Sequence, residues 1–215
     1  MKNKIMISLL ILLVMTLKMN VFAAPQYVEV VCGIVDKNVA ISEADIRAMC
    51  EQACEDTNIE PEIIEALCYE ESRFNPDAES PSNCVGLCQI STIYYKDKAE
   101  KLNITDYYEP YSNIKLCVSI IEDLMNKYDD YELVLMSYNM GEVDALKNYK
   151  EKGVSEYAKN ILNNAEKIKE SKENSEVQLN KETREINKSL RKELENMLKG
   201  ILKKNEIKEI LYENI

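Results

Sequence analysis

The sequence predicts an all-α domain of five to seven helices, followed by a charged helical extension. Apolar residues recur at three- and four-residue spacing in several segments after residue 42, which is the periodicity of amphipathic helices. No convincing strand pattern occurs after residue 36, and these segments supply enough apolar residues for a core. From about Glu170 the composition changes to Lys, Glu, Asn and Ser, which indicates that the packed domain ends there.

Residues 1–24 have the pattern of a secretory signal. Lys2 and Lys4 precede an apolar run, and Val21-Phe22-Ala23 offers a cleavage site after Ala23 or Ala24. The alternative is an uncleaved membrane anchor, but the apolar run covers residues 5–17, whereas a spanning helix needs ~20 residues. We therefore expect a secreted, cell-wall-associated protein that meets the membrane only through this segment.

The remaining segments follow in order. Residues 25–41 contain "PQYVEVVCGIV", which predicts a short strand or an extended arm. The domain proper is predicted over residues 42–170, where Ser42-x-x-Asp45 resembles a capping box and Pro61 suits the first turn of a helix. The predicted helices cover residues 42–55, 61–72, 113–128, 131–140 and 155–169.

Residues 171–215 predict a charged amphipathic helical extension. Its apolar residues repeat every three to four positions, but the heptad pattern fails at Glu193 and Gly200, which argues against a long coiled coil. Packing of this extension on the domain is favoured over docking of residues 180–215 to a cell-envelope protein.

Charge and composition exclude several functions. The net charge is −11, and it becomes −14 without the predicted signal, because 24 basic residues then face 38 acidic ones. Nucleic-acid binding requires basic patches, so no nucleic-acid partner is expected. The chain has no His, which removes Ser-His-Asp and Cys-His catalysis and the commonest zinc site. We expect no metal and no cofactor, and carboxylate chemistry remains.

Seven cysteines follow the predicted signal. In an exported protein this number predicts disulfides with one thiol left over, and buried free thiols are the alternative. The spacing Cys-x3-Cys occurs twice and differs from the Cys-x2-Cys of zinc knuckles. The cysteines are Cys32, Cys50, Cys54, Cys68, Cys84, Cys88 and Cys117.

Two adjacent glutamates end the second predicted helix. Neighbouring residues of a helix point ~100° apart, so Glu70 and Glu71 cannot have the same role. Glu71 lies four residues after Leu67 and continues the apolar stripe, where burial raises the pKa of a carboxyl. A glutamic acid beside an apolar cleft suits protonation of a glycosidic oxygen. The pattern favours Glu71 for that role and predicts that Glu70 is solvated.

In four segments around and after Glu71 the sequence resembles the soluble lytic transglycosylase (SLT, goose-type-lysozyme-like) family. The matching segments are "EESRFNPDAES", "NCVGLCQIS", "YSNIKLCVSII" and "LMSYNMG", in the family order, over about residues 55–168. The resemblance implies a lysozyme-like fold and cleavage of the β-1,4 bond between N-acetylmuramic acid and N-acetylglucosamine. Peptidoglycan glycan strands would be the substrate, and 1,6-anhydromuramoyl ends the product.

The resemblance also implies roles for individual residues. Glu71 would be the general acid and then the base, Ser72 would orient it, and Tyr138 would contact it through its hydroxyl. Gly86, Leu87, Gln89, Asn139 and, less directly, Tyr157 would line the cleft and bind substrate. Asn113 would support the cleft wall, although an N-cap role explains it equally well. Simple structural roles are the alternatives for Ser72, Gln89 and Tyr138.

Three positions depart from the family pattern. Cys88 stands where Met is usual, Cys117 where Gly is usual, and Ser137 where Ala is usual. Both cysteines lie near the predicted cleft. They motivate the hypothesis that a disulfide involving Cys88, Cys117 or Cys68 staples it. Mass spectrometry of non-reduced peptides that finds all three thiols free would exclude that staple.

Two other functions stay open from sequence. The same glutamate could direct water onto the sugar, as in a muramidase, with Asp77, Glu79 or Asp106 as the second carboxylate. A protein of another class would be a non-catalytic wall-binding module.

Overall fold

The computed structural model describes residues 41–212, with side chains described up to residue 201 and at residue 203. The predicted signal and all but the last residue of the predicted arm lie outside this range. Within it the chain forms seven α-helices and one short hairpin. The helices are α1 (Glu43–Cys54), α2 (Pro61–Ser72), α3 (Lys96–Lys101), α4 (Pro110–Met125), α5 (Tyr131–Met140), α6 (Glu142–Lys152) and α7 (Glu156–Tyr212). In the hairpin, β1 (Cys84–Val85) pairs with β2 (Ile90–Ser91) in antiparallel register.

Local sequence explains where the helices begin. The predicted capping box is present, since Asp45 N–H donates to Ser42 Oγ (3.2 Å) and Ser42 N–H donates to Asp45 Oδ2 (3.0 Å). Pro61 occupies the first turn of α2, as predicted. The start of α4 was wrongly predicted: Glu109 caps it, because its carboxylate accepts the N–H groups of Tyr111 and Ser112. Asn113 is therefore one turn inside α4 and is not an N-cap.

Helix α2 is the centre of the domain and packs against α1, α4 and α7. Its residues from Ile63 to Cys68 are all buried, because neighbouring helices cover it on several sides. The core around it is made of fully buried side chains from five helices, among them Ile46, Ile64, Leu67, Ile114, Ile121, Leu135 and Ile161. This packing fixes the end of α2, and with it the position of Glu71.

One buried charge lies inside this packing. Glu65 on α2 is only 3% exposed, and its carboxylate accepts three hydrogen bonds from the Arg47 guanidinium on α1, at 2.9–3.1 Å. A buried carboxylate needs such a partner. The pair ties α1 to α2.

Helix α7 differs most from the prediction. It is one continuous helix of 57 residues, ~85 Å long, with no break where the extension was predicted to begin. Its first turns pack on α2 and α5, and Lys172 makes its last ion pairs with the domain, to Glu51 and Glu62 at 2.7 Å. Beyond that point its described side chains are largely exposed. For the side chains described after Lys172, the prediction that the extension packs on the domain was therefore wrong.

Three elements were missed: α3, α6 and the hairpin. Each offers little periodic signal, since α3 has six residues, β1 and β2 have two each, and α6 buries only Ala145. Within residues 41–212 no helix has both the length and the apolar character needed to cross a membrane.

Candidate active site

Glu71 lies in the last turn of α2, where the helix stops abruptly. Arg73 (φ 55°) and Phe74 (φ 63°) both adopt left-handed backbone conformations, and the chain turns away from the helix axis. The turn opens a cleft of about 590 Å³ at this end of the helix. Side chains from the hairpin, from α3 to α6 and from the segments between them line it together with Glu71, among them Gln89, Tyr94, Tyr95, Lys98, Asp123, Lys127, Tyr138, Asn139 and Glu142.

The carboxyl of Glu71 is half-buried and held by one tyrosine. The hydroxyl of Tyr157, on the first turn of α7, donates to Glu71 Oε1 at 2.5 Å. Burial raises the pKa of Glu71 above its usual value, the bond from Tyr157 opposes that shift, and the negative charge of Glu70 adds to it. The net direction is upward, which keeps the carboxyl protonated at higher pH than that of an ordinary glutamate.

Glu70 is not solvated, contrary to the sequence prediction. Its side chain is 17% exposed, and its carboxylate accepts hydrogen bonds from Arg73 Nη1 and Asn160 Nδ2, both at 3.3 Å. The Arg73 guanidinium in turn lies over the Tyr69 ring, 4.3 Å from its centroid. Glu70 is thus held beside Glu71, where its charge acts on the neighbouring carboxyl.

The predicted contact from Tyr138 to Glu71 was wrong. The Tyr138 hydroxyl donates instead to the backbone carbonyl of Cys88 at 2.8 Å, which ties α5 to the hairpin loop. Tyr157, predicted only as a late cleft aromatic, makes the contact with Glu71. Sequence reasoning could not separate the two tyrosines, because the choice depends on how α7 crosses the end of α2.

Two further predicted residues have structural contacts. Ser72 does not hold Glu71, since its hydroxyl donates to the Cys68 carbonyl one turn earlier in α2 (3.0 Å). Leu87 does not line the cleft; it is fully buried in the core. The role of Ser72 as an orienting group and that of Leu87 in substrate binding are therefore corrected.

The loop between β1 and β2 is built around Asn113. The side chain of Asn113 accepts the Cys88 N–H (2.8 Å) and donates to the carbonyls of Val85 (3.0 Å) and Tyr107 (2.9 Å). Gly86 has φ +77°, and a Cβ there would lie 2.4 Å from Asn113 Nδ2. Gly86 therefore supports the cleft wall through this close approach to Asn113.

Two predicted substrate-binding side chains do line the cleft. Gln89 has its Nε2 bound to the carbonyls of Ala78 and Gly86, both at 3.1 Å, and Asn139 is exposed on α5. Sequence reasoning missed the aromatic pair Tyr94 and Tyr95, whose ring centroids are 4.9 Å apart. Their adjacency directly after the hairpin was the signal that could have identified them.

Four cysteines lie in one buried group under the cleft. Cys50, Cys68, Cys88 and Cys117 are fully buried, and the Cys68 and Cys88 sulfurs are 3.3 Å apart as free thiols. The described cysteines form no disulfide, and the staple involving Cys88, Cys117 or Cys68 stays a prediction. Burial, together with the neighbouring thiols, raises the pKa of Cys88 well above its usual value.

Ser137 departs from the family pattern at a buried position. Its hydroxyl is covered by protein and has no hydrogen-bond partner among the described residues. Residues 41–212 contain no group of three or more side chains arranged to hold a metal ion.

Comparison with known proteins finds matches to transglycosylases. The sequence profile of the transglycosylase SLT domain matches residues 48–161. Membrane-bound lytic murein transglycosylase F of Desulfosudis oleivorans is 30% identical over 102 residues, which are 44% of this chain and 22% of that protein. The protein of the same name from Pectobacterium atrosepticum is 32% identical over 104 residues, 45% of this chain and 20% of its own length.

The fold has a counterpart among solved structures. The lytic transglycosylase Slt of Pseudomonas aeruginosa superposes with a TM-score of 0.50 at 20% identity, over 55% of this chain and 23% of that one. At this identity the likeness concerns the fold alone, which is the predicted lysozyme-like SLT fold. This chain matches only about a fifth of the length of these relatives.

Proposed function

Because the chain belongs to the transglycosylase SLT domain family, we propose that it is a peptidoglycan lytic transglycosylase with Glu71 as its acid and base. The observation that carries the proposal is the half-buried Glu71 carboxyl in the cleft, with a raised pKa and a hydroxyl held against one of its oxygens. Two relatives bear the name lytic murein transglycosylase, which supports the same activity. No cofactor enters this chemistry.

The first step requires a proton at the glycosidic oxygen. Glu71 supplies it, because the raised pKa keeps a larger fraction of the carboxyl protonated near neutral pH. Tyr157 occupies Oε1, and among the described residues nothing bonds to Oε2. The proton therefore leaves from Oε2, which is free to face the cleft.

The second step returns a proton to the same group. The ionised Glu71 accepts the proton of the muramoyl 6-hydroxyl, whose oxygen then attacks the anomeric carbon and closes the 1,6-anhydro ring. The Tyr157 hydroxyl stabilises the carboxylate during this interval, because a hydrogen bond to the charged form favours it. No water is consumed.

Neighbouring carboxylates favour the anhydro product over hydrolysis. The cleft contains two other carboxylates, Asp123 and Glu142, and each is paired with a lysine at 2.6 Å (Lys98 and Lys127). The Lys127 ammonium, with the Tyr128 hydroxyl also on Glu142, lowers the pKa of Glu142 and makes it a poor base. The three carboxylates considered from sequence, Asp77, Glu79 and Asp106, are exposed and do not line this cleft.

A wall-binding module without activity is the competing function. It is disfavoured because a binding surface has no need for a glutamate whose pKa is raised by burial and by a second glutamate. We further propose export through residues 1–24 and action at the cell wall, in line with the predicted signal.

The test compares two isosteric variants on purified peptidoglycan. Glu71→Gln removes the transferable proton, so release of soluble fragments should fall by at least ~100-fold, the usual worth of general acid catalysis. Glu151→Gln, an exposed position on α6, is the matched control and should keep full activity. Unchanged release by a folded Glu71→Gln protein would overturn the assignment. Fragments one water heavier than anhydro ends would identify a muramidase instead.

A further inference from the structure

The part of α7 beyond the domain carries an exposed apolar stripe. Leu179, Ile186, Leu190, Met197 and Ile201 are 46–65% exposed, although each is a large apolar side chain. At ~100° per residue they fall, together with Leu194, within a sector of ~80°, which is as narrow as the seam of a helix pair. Isolated exposed apolar residues are ordinary, but a regular stripe of six indicates a covered surface.

The spacing of the stripe follows an 11-residue repeat. Tyr157, Ile168, Leu179, Leu190 and Ile201 lie 11 residues apart, and so do Ile186 and Met197. Such a repeat, ~3.67 residues per turn, keeps the seam on one face of a helix pair with a slight right-handed supercoil. It also explains why a heptad fails at Glu193 and Gly200, since neither lies on this seam.

The stripe is also symmetric about Leu190. Thr183 lies on the same face, although it is polar. When it is included, the residues of the stripe are spaced 4, 3, 4, 4, 3 and 4 positions apart, and this order is the same in both directions. When two copies are placed antiparallel with Leu190 opposite Leu190, Leu179 meets Ile201, and Ile186 meets Leu194. A two-fold interface requires a self-complementary surface of this kind.

The domain determines the direction of the second helix. Ile161, Ala165 and Lys172 lie on the same face of α7 as the stripe, and there the helix packs against its own domain. In a parallel pair both domains would occupy the space between the two helices. In the antiparallel pair the domains lie at opposite ends, and the apolar stripes overlap over residues 179–201. Only the last turn of each helix, residues 208–212, reaches the level of Ile168 and Lys172, where the domain of the other copy begins.

The charge distribution along the chain favours a second copy of this chain as the partner that covers the stripe. Residues 41–169 carry 13 basic and 26 acidic residues, whereas residues 170–215 carry ten of each. Two domains of that charge repel when they lie side by side, and two neutral helices do not. A membrane surface is disfavoured, because helices that bind anionic lipid are rich in Lys and Arg on their polar face.

We propose that α7 forms an antiparallel homodimer through the stripe of residues 179–201, centred on Leu190. The proposal concerns assembly and does not depend on the proposed catalytic function. Each dimer places two domains at the two ends of a shared helical rod.

The first test is the mass of the full chain by sedimentation equilibrium under reducing conditions. Wild-type protein should have twice the monomer mass. Leu190→Lys places two charges at the two-fold axis and removes two buried leucines, so the dissociation constant should rise ~100-fold. Val177→Lys is the matched control, since Val177 is 68% exposed on α7 but lies outside the stripe, and this variant should dimerise like the wild type.

The second test reads the direction of the pair by cysteine cross-linking. A mixture of Leu179→Cys and Ile201→Cys chains should cross-link, and Leu179→Cys chains alone should not. A monomeric wild type, a dimer unaffected by Leu190→Lys, or a Leu179→Cys chain that cross-links to itself would each overturn the proposal. Monomers that instead bind vesicles of anionic lipid through the stripe would also overturn it.

Discussion

At the scale of single residues, the site depends on two carboxyls with unequal partners. Glu70 has Arg73 and Asn160 as hydrogen-bond donors, whereas Glu71 has Tyr157 and is half-buried. An ionised neighbour disfavours a second negative charge. The charge of Glu70 therefore raises the pKa of Glu71, so that in the proposed function one glutamate of the doublet "EE" is the acid and the other raises its pKa.

This arrangement predicts the effect of Glu70→Gln on the pH profile. The acid must be protonated to act, so activity is present below the raised pKa of Glu71 and is lost as pH rises through it. Removing the charge of Glu70 lowers the pKa of Glu71, and the alkaline limb of the profile should move to lower pH. The profile of solubilised peptidoglycan against pH measures this, with Glu151→Gln as the control that leaves the limb in place. A limb that stays fixed, or moves to higher pH, contradicts the role given to Glu70.

The half-buried position of Glu71 was predicted from sequence better than its contacts. Glu71 followed from its place on the apolar stripe and from the family motif, because both depend on nearby sequence. The sequence did not predict that Tyr157, and not Tyr138, contacts Glu71, because these tyrosines lie 86 and 67 positions beyond Glu71. Ser72 was misassigned for the opposite reason: a serine at a helix end bonds its own preceding turn more readily than a neighbouring carboxyl.

At the scale of elements, the position of Glu71 depends on how α2 is held by its neighbours. The Arg47–Glu65 pair joins α1 to α2 at the buried side of the helix. Strongly periodic helices such as α1, α2 and α5 were predictable from spacing and caps. The start of α4 was not, because Glu109 caps it through a carboxylate that has no strong sequence preference there.

The Arg47–Glu65 pair predicts a specific pattern of stabilities. Arg47→Ala leaves the Glu65 carboxylate buried without its partner, and the free energy of unfolding should fall by ~3 kcal/mol, at the low end for buried pairs because Arg47 is 42% exposed. The double variant Arg47→Met/Glu65→Leu removes both charges and should recover most of that loss. Urea denaturation monitored by circular dichroism measures both. A double variant as unstable as Arg47→Ala would show that the pair does more than neutralise a buried charge.

At the scale of the whole molecule, α7 has two parts with different surroundings. Its first part contributes Tyr157 to the candidate site and Ile161 and Ala165 to the core, and its second part leaves the domain. The composition change near Glu170 lies close to this division in the sequence. The continuity of the helix could not be read from it, because a change from apolar to charged residues at the same helical period leaves the backbone free to continue.

This division predicts opposite results for two truncations. A chain that ends after Glu176 keeps Lys172 and its ion pairs to Glu51 and Glu62, so its thermal midpoint and its activity per cleft should match those of the full chain. Its mass should be that of a monomer, because the stripe is gone.

A chain that ends after Ser155 loses Tyr157 and the buried Ile161 and Ala165, and it should not fold, because the face of α2 that α7 covers would then meet water. Calorimetry, sedimentation and peptidoglycan release on the same samples separate these effects.

If the chain ending after Glu176 melts well below the full chain while remaining monomeric, residues 177–215 contact the domain and the division fails. If it melts like the full chain but has lost activity, the helix beyond the domain takes part in substrate binding and its role is not confined to assembly.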